Sequence, residues 1–371
     1  MKRLPISVAN FAAGNDKLYV MFQDYWNQYR SENTDKNFDY ETTNADGERV
    51  SFSEKEKQLN TALRAEILRV AGIKDISEFP LQAWASHPTL KWASFAVVNQ
   101  LIDAVLPDTL IDTIGYYTDV RSIGYGDSAA FDIEPRDLFV VSKAGRGMRQ
   151  SEIRKQFRGQ VTILPELREL TVAVSLYKVL AGMESLASFT AKAIRSIESQ
   201  VSLDAYNAFA TAMAALTATA GDTQLKVSGW SKDDFVRLAQ KVQAWGNSKP
   251  VLLGTQRALQ SVLPDDANYR YDVTSDYVKV GYLKNVFGYD AIALPQVADW
   301  STEFAVSISD TSLWIVAPGN DKLIKLVLEG STMANTSGAF DNANLTQVST
   351  LYKAWGVGVA TNSLAAMIDL S

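Results

Sequence analysis

The chain has 371 residues, a net charge of −6, 47% hydrophobic and 10% aromatic content, one histidine and no cysteine. Against a prior of roughly 150 residues per domain this length calls for two or three units with real cores, and the missing cysteines exclude disulfides, thiolate nucleophiles and zinc–thiolate sites. The acidic balance argues against a protein built mainly to coat nucleic acid, which needs many phosphate-neutralising cations.

The opening "MKRLPISVANFAAGNDK" has two basic residues but then Asn10, Asn15 and Asp16 where a signal peptide needs an apolar core. Nowhere is there an apolar run of the roughly 18 residues a membrane helix requires, so a soluble protein made in a cytoplasm is expected. Residues 31–49 are polar and lack an apolar period. In "SFSEKEKQLNTALRAEILRVAG", Ser53 and Glu56 read as a capping box. Leu59, Leu63, Ile67 and Val70 follow at helical spacing, and Gly72 stands where a left-handed C-terminal residue is wanted. A second amphipathic helix is expected over 90–106, ending at Pro107.

From Ile114 onward Val, Ile, Tyr, Phe and Thr gather in short runs broken by Gly and Pro. These read as long strands of a hairpin turning around "SKAGRGMRQSEIRKQFRGQ". That stretch, 142–160, carries Lys143, Arg146, Arg149, Arg154, Lys155 and Arg158 against one acid, Glu152, a net of +5 in a chain of −6. A hairpin with so few places for a core must lean on something else.

The longest helix is expected over 183–216. Met183, Leu186, Phe189, Ala193, Ile197, Val201, Ala205, Phe209, Met213 and Leu216 make its core stripe, with Lys192, Arg195, Glu198 and Asp204 off that face. A capped helix over 231–246 follows, and "KPVLLGTQRAL" reads as a buried strand, a turn at Gly254 and an N-cap at Thr255. Further strands are expected at 290–294, 304–308, 313–316 and 323–328, forming a mixed α/β unit over about 227–330. The tail 346–360 reads as a strand that pairs with earlier elements. "GNDKL" occurs twice and reads as a shared turn preference.

A search for chemistry is mostly negative. His87 precedes a proline, and no G-x-S-x-G elbow exists to use it, so a turn or packing role is expected. Too few nitrogen and sulfur ligands exist for a transition-metal site. The neighbours Asp233 and Asp234, and Asp265 and Asp266, read as capping or solvated residues. "GYGDSA" and "GRGMRQ" are fragments that do not complete G-x-G-x-x-G. A hydrolase working through carboxylates alone needs no His or Cys and stays open. No catalytic, cofactor or metal residue is assigned.

Three stretches carry a resemblance. "SLYKVLAGMESLASFTAKAIRSIESQVSLDAYNAFATA" looks like the strand and spine helix leading out of an extension loop. "VLLGTQRALQSV", "GYLKNVFGYDAIALPQV" and "LWIVAPGNDKLIKLVLEG" look like successive pieces of an axial domain. Over about 114–371 the chain resembles the major capsid protein of tailed bacteriophages, the Hong Kong 97-type fold. The resemblance implies an α+β fold with an N-terminal arm and helical region over 1–113 and an extension-loop hairpin over 114–172. A peripheral domain with the spine helix would take 173–226 plus 331–371, and the axial domain 227–330. Some relatives carry a cleaved scaffolding segment at the N-terminus, which is not expected in a chain beginning at Met1. Others cross-link a loop Lys to a neighbour's Asn. Lys143 or Lys155 and Asn335, Asn342 or Asn344 match by residue type only, no carboxylate catalyst is defined, and cross-linking is not expected.

The implied function is a structural subunit of an icosahedral phage head. It would self-assemble into hexamers and pentamers in the host cytoplasm, without enzymatic activity or cofactor, around double-stranded DNA bound without sequence specificity. Scaffold, portal and decoration proteins are the further partners, and no membrane is involved. The basic loop would lie across a neighbouring copy, its arginines meeting carboxylates through bidentate contacts. The alternatives are an encapsulin-type cargo shell, a carboxylate enzyme on an oligomeric scaffold, and a nucleic-acid-binding protein using 142–160. Against the last, no aromatic platform is interleaved with the cations.

Overall fold

A computed structural model describes residues 16–33, 40, 50–73, 88–114, 118–133, 158–174, 185–218, 223–262, 280–299, 305–317, 322–336, 347–360 and 364–371. Three helices come first: α1 (Asp16–Asn33), α2 (Phe52–Ala71) and α3 (Pro88–Ile114). Helix α2 begins two residues earlier than expected. Its N-cap is Ser51, whose side chain accepts from the Glu54 N–H, so the box is Ser51/Glu54 and not Ser53/Glu56. At its far end Gly72 is left-handed, φ 72°, as expected.

Helix α3 departs further from expectation, because it runs through Pro107 and is buried nearly all round. A proline costs a helix one hydrogen bond and a clash with the preceding turn. Here Leu106 and Leu110 are fully buried on either side of it, and Thr109 Oγ1 donates to the Val105 carbonyl while accepting from Trp26 Nε1. Tertiary packing outweighs the local cost.

Strands β1 (Thr118–Ile123), β2 (Ala129–Ile133), β3 (Gly159–Ile163) and β4 (Glu166–Val174) follow. Only β2 and β3 pair with each other, antiparallel, with Ile133 opposite Gly159. The outer two, expected in the same hairpin, pair elsewhere. They flank β12 (Ile324–Thr336) and β13 (Gln347–Val359) in a four-stranded sheet of order β1-β12-β13-β4, with β1 and β12 parallel.

Helix α4 (Leu186–Ala214) spans about 43 Å at 1.5 Å per residue. Its stripe is buried as expected at Leu186, Ala193, Ile197, Val201, Ala205, Phe209 and Met213. Glu198, expected on the polar side, is buried too, with a partner. The N-terminal half of α4 packs with α1–α3 and one face of the four-stranded sheet. Phe22, Trp26, Leu63, Leu101, Ile194, Leu326, Leu351 and Trp355 share that core.

The second sheet takes β5 (Lys226–Ser228), β6 (Val251–Thr255), β7 (Asn285–Val286), β8 (Tyr289–Leu294), β11 (Ser312–Val316) and β14 (Ala365–Asp369) in the order β5-β14-β11-β6-β8-β7. Helices α5 (Lys232–Gly246) and α6 (Gln256–Gln260) cover it, while β9 (Ala298–Asp299) and β10 (Ala305–Val306) make a small ribbon, shorter than the strand expected over 304–308. The strand nearest the C-terminus, β14, lies inside this sheet between β5 and β11. Thr255 caps α6 through the Ala258 N–H. Gly254 is no turn. It lies inside β6, where a Cβ would come within 2.7 Å of Leu313 Cδ2, so the glycine admits β11's side chain. Phe209 and Met213 of α4 reach this sheet, Phe209 meeting Trp314 edge to face at 5.4 Å.

Candidate assembly interface

The two strands of the β2–β3 hairpin are rooted on the four-stranded sheet. Ala129, Phe131 and Ile163 form a small core with Val327 of β12. The Arg121 guanidinium lies 4.1 Å over the Phe131 ring and donates to the Ala130 carbonyl at 3.1 Å, and Lys325 Nζ lies 5.7 Å from the same ring. Two cations on an aromatic face add to the burial of the ring. On the neighbouring strand β13, Gly356 and Gly358 form a notch. A Cβ at Gly356 would stand 2.6 Å from the Leu164 carbonyl oxygen, and one at Gly358 would stand 2.8 Å from Ile163 Cδ1. Glycine here allows one backbone to cross closely over another.

The turn joining β1 and β2 is seated as well. Strand β12 shifts register between Glu329 and Met333, and Gly330 takes φ 52°. The Tyr125 hydroxyl donates to the Ser331 carbonyl, the Gly126 N–H donates to Glu329 Oε1 at 2.7 Å, and a Cβ on Gly330 would strike the Tyr125 ring. Beneath this bulge lies a buried ion pair. Asp103 of α3 accepts from Lys353 Nζ at 2.7 Å, from the Thr332 N–H at 2.8 Å and from Thr332 Oγ1 at 2.6 Å. Lys353 Nζ also donates to the Gly330 carbonyl at 2.8 Å. With each charge satisfied by several partners, the pair is tolerable out of water.

Of the sequence-predicted contact residues, Arg158 stands exposed immediately before β3 and engages in an interaction of its own. Lys143, Arg146, Arg149, Arg154 and Lys155 lie outside the described residues, as do His87, Asp265 and Asp266, and Asn342 and Asn344. Asp234 forms an ion pair with Arg237 at 2.9 Å in the first turns of α5, so it serves the helix. Among the described residues there is no group of three or more His, Cys, Asp or Glu that could hold a metal, and no helix long and apolar enough to cross a membrane.

Sequence reasoning did not find Leu164 and Leu167 at the hairpin's base or the buried cluster beneath it. Leu164 and Leu167 flank Pro165 and are 72% and 62% exposed. Both stand on the exposed surface where β3 ends and β4 starts. A single carboxylate in the apolar run "VVNQLIDAVL" was the available signal for Asp103. Its partners Thr332 and Lys353 lie 229 and 250 positions away, beyond any local period.

A family model described as "SPbeta prophage-derived putative capsid protein YonB" matches residues 32–369. No curated protein matches the chain. Among solved structures, the capsid of the native GTA particle aligns with a TM-score of 0.50 at 12% identity, over 70% of this chain and 90% of that one. The mature capsid of bacteriophage PhiM1 gives 0.44 at 8% identity, over 69% and 86%. The capsid of cyanophage P-SCSP1u gives 0.45 at 12%, over 69% and 86%.

Proposed function

We infer the function from one premise, that the chain belongs to the family of SPbeta prophage-derived YonB capsid proteins. It is a structural subunit of a phage capsid, located in the virion shell and built into a lattice of many copies. The observation that carries this is a family match over residues 32–369, from the end of α1 to the end of β14, on a chain that shares its fold with the GTA capsid subunit.

The finer reading is ours. The fold is the Hong Kong 97-type arrangement: helical region 1–113, extension-loop hairpin within 114–172, peripheral domain 173–226 with 331–371, and axial domain 227–330, which borrows Ala365–Asp369 as a strand. Subunits form hexamers and pentamers in the host cytoplasm, with scaffold and portal proteins as partners, and enclose double-stranded DNA without catalytic activity. Lys143, Arg146, Arg149, Arg154, Lys155 and Arg158 contact the neighbouring copy. Leu164 and Leu167 add apolar area at the same base. Exposed ion pairs contribute only about 0 to 1 kcal/mol each, so the arginines set register while buried apolar area supplies most of the affinity.

Negative-stain microscopy of the purified chain, alongside its solution mass, tests the reading. Closed shells or six-membered rings are expected. A monodisperse monomer that does not assemble even with scaffold supplied would overturn it. Charge reversal at Arg149 and Arg154 then tests the loop: assembly at unchanged yield and salt dependence would show these cations to be merely solvated.

A further inference from the structure

We propose that Asp103 is a positioning residue: from helix α3 it fixes the bulge of β12 on which the β1–β2 turn sits, and so sets how the root of the β2–β3 hairpin is oriented on the four-stranded sheet. This deepens, and rests on, the reading of the hairpin as the contact between copies.

Four independent observations converge on residues 330–332. Both carboxylate oxygens of Asp103 hold the Thr332 N–H, at 3.0 and 2.8 Å, and Oδ1 also takes the Thr332 hydroxyl. Lys353, buried with Asp103 and bonded to it, holds the Gly330 carbonyl. From the other side, Tyr125 holds the Ser331 carbonyl. Gly330, in the left-handed region, presents its missing side chain to the Tyr125 ring, so the ring and the backbone are in direct contact. A bulge leaves one strand's backbone groups without ladder partners. Here the helix supplies an acceptor for one of them, the lysine satisfies a second and the turn a third. Asp127 closes that turn on Gly124 at 3.4 Å, and β2 starts two residues later. Helix, bulge, turn and hairpin root are thus joined by direct contacts. Moving the carboxylate releases the Thr332 N–H, and the turn loses the surface it is built on.

A buried ion pair that only added stability would leave no local signature once its charges were removed together. The experiment therefore uses the double variant D103L/K353M, which removes both charges at similar volume, in the full chain. A second variant, Gly330→Ala, enters the same bulge from the Tyr125 side. Hydrogen exchange is followed at 118–133 and 159–163, with the six-stranded sheet as internal reference. The expected result in both variants is exchange at Gly126, Asp127 and β2 that is faster by about tenfold or more, against unchanged rates in β6 and β11. Shells made from either variant should show mixed diameters where the parent chain gives one. If D103L/K353M fails to fold, Gly330→Ala decides. Unchanged exchange at 124–133, or acceleration spread evenly over both sheets, overturns the proposal. Absence of shells from the parent chain would sink the capsid reading alone, since the exchange rates still report on the positioning.

Discussion

The two sheets are stabilised by different means. Around the six-stranded sheet the buried polar residues among those described are Thr255 and Ser312, both uncharged, and the core is Leu, Ile, Val, Ala, Met, Phe and Trp. The buried charges among the described residues, Lys55, Glu66, Asp103, Glu198, Lys325 and Lys353, all belong to α2–α4 and the four-stranded sheet. Apolar packing is non-directional and tolerates small shifts, whereas a buried charge fits only one arrangement of partners. The region that carries the hairpin is therefore the one whose geometry is specified most narrowly. On the proposed reading, in which the hairpin makes the contact between copies, its root needs that precision more than the rest of the core does.

Breaking this contrast gives the largest effect. Asp103→Ala strands the Lys353 ammonium in a site where both side chains are under 10% exposed, and losing one partner of such a pair costs about 3–5 kcal/mol. Chemical denaturation should show that loss, with most of it recovered in D103L/K353M. A Leu252→Ala change in the six-stranded sheet opens a cavity at a fully buried site and should cost about 2–5 kcal/mol. No second substitution on a distant strand should recover it. If Asp103→Ala costs less than about 1 kcal/mol, the pair is not the specifying contact its burial implies.

The same contrast divides what was legible in the sequence. Elements set by neighbours within one or two turns were readable: the α4 stripe, Gly72 closing α2, Thr255 capping α6. Boundaries slipped where two local answers competed, as at "SFSE", where Ser51 and Ser53 each precede a glutamate by three positions and only the backbone shows which one is extended. Failures came where distant packing overrode a local rule. Pro107 should end a helix, but the α3 residues on either side of it, Leu106 and Leu110, are locked in the core. Gly254 reads as a turn, but a leucine of β11 needs the space. Glu198 reads as solvated by its spacing, yet it is buried. The partners of β1 and β4 lie about 170 to 210 positions away, and strand pairing at that range leaves no periodic trace. Of the candidate site, the hairpin and its basic stretch were visible as composition. Its root, made of Phe131, the Gly356 notch and Asp103, was not, because it exists only once four elements meet.

Smaller changes sharpen the comparison. Gly356→Ala places a methyl 2.6 Å from the Leu164 carbonyl, a backbone atom that cannot rotate away. The hairpin root must lift, at about 1–3 kcal/mol, and faster exchange should be confined to β3 and its neighbours. At the start of α4, Asn60 of α2 accepts the Ala187 N–H at 3.1 Å and donates to Ser185 Oγ at 3.0 Å, so α4 is capped by its own serine and by a second helix. Asn60→Ala should cost about 1 kcal/mol. A matching loss in Ser185→Ala, with a double variant costing less than the sum, would show the two caps acting as one unit.

The smallest expected effect lies at the other sheet and depends on pH. Asp369, the last residue of β14, accepts from the Ser371 hydroxyl at 2.7 Å. That hydrogen bond holds its carboxyl below the ordinary carboxylate range, with further help from the Ser371 N–H and the charge of Lys226, against the opposing effect of burial. A carboxyl with a lowered folded-state pKa contributes stability that is present above its unfolded pKa and lost as pH falls through the folded one. Ser371→Ala removes the largest of these causes and leaves the backbone donor, so the variant should be slightly less stable at neutral pH. The two proteins should converge on acidification, once Asp369 is protonated in both. A gap of constant size down to strongly acidic pH would assign the serine a packing role instead. A gap as large as that of Asp103→Ala would mean that the six-stranded sheet also depends on a charge, and the contrast between the two sheets would fail.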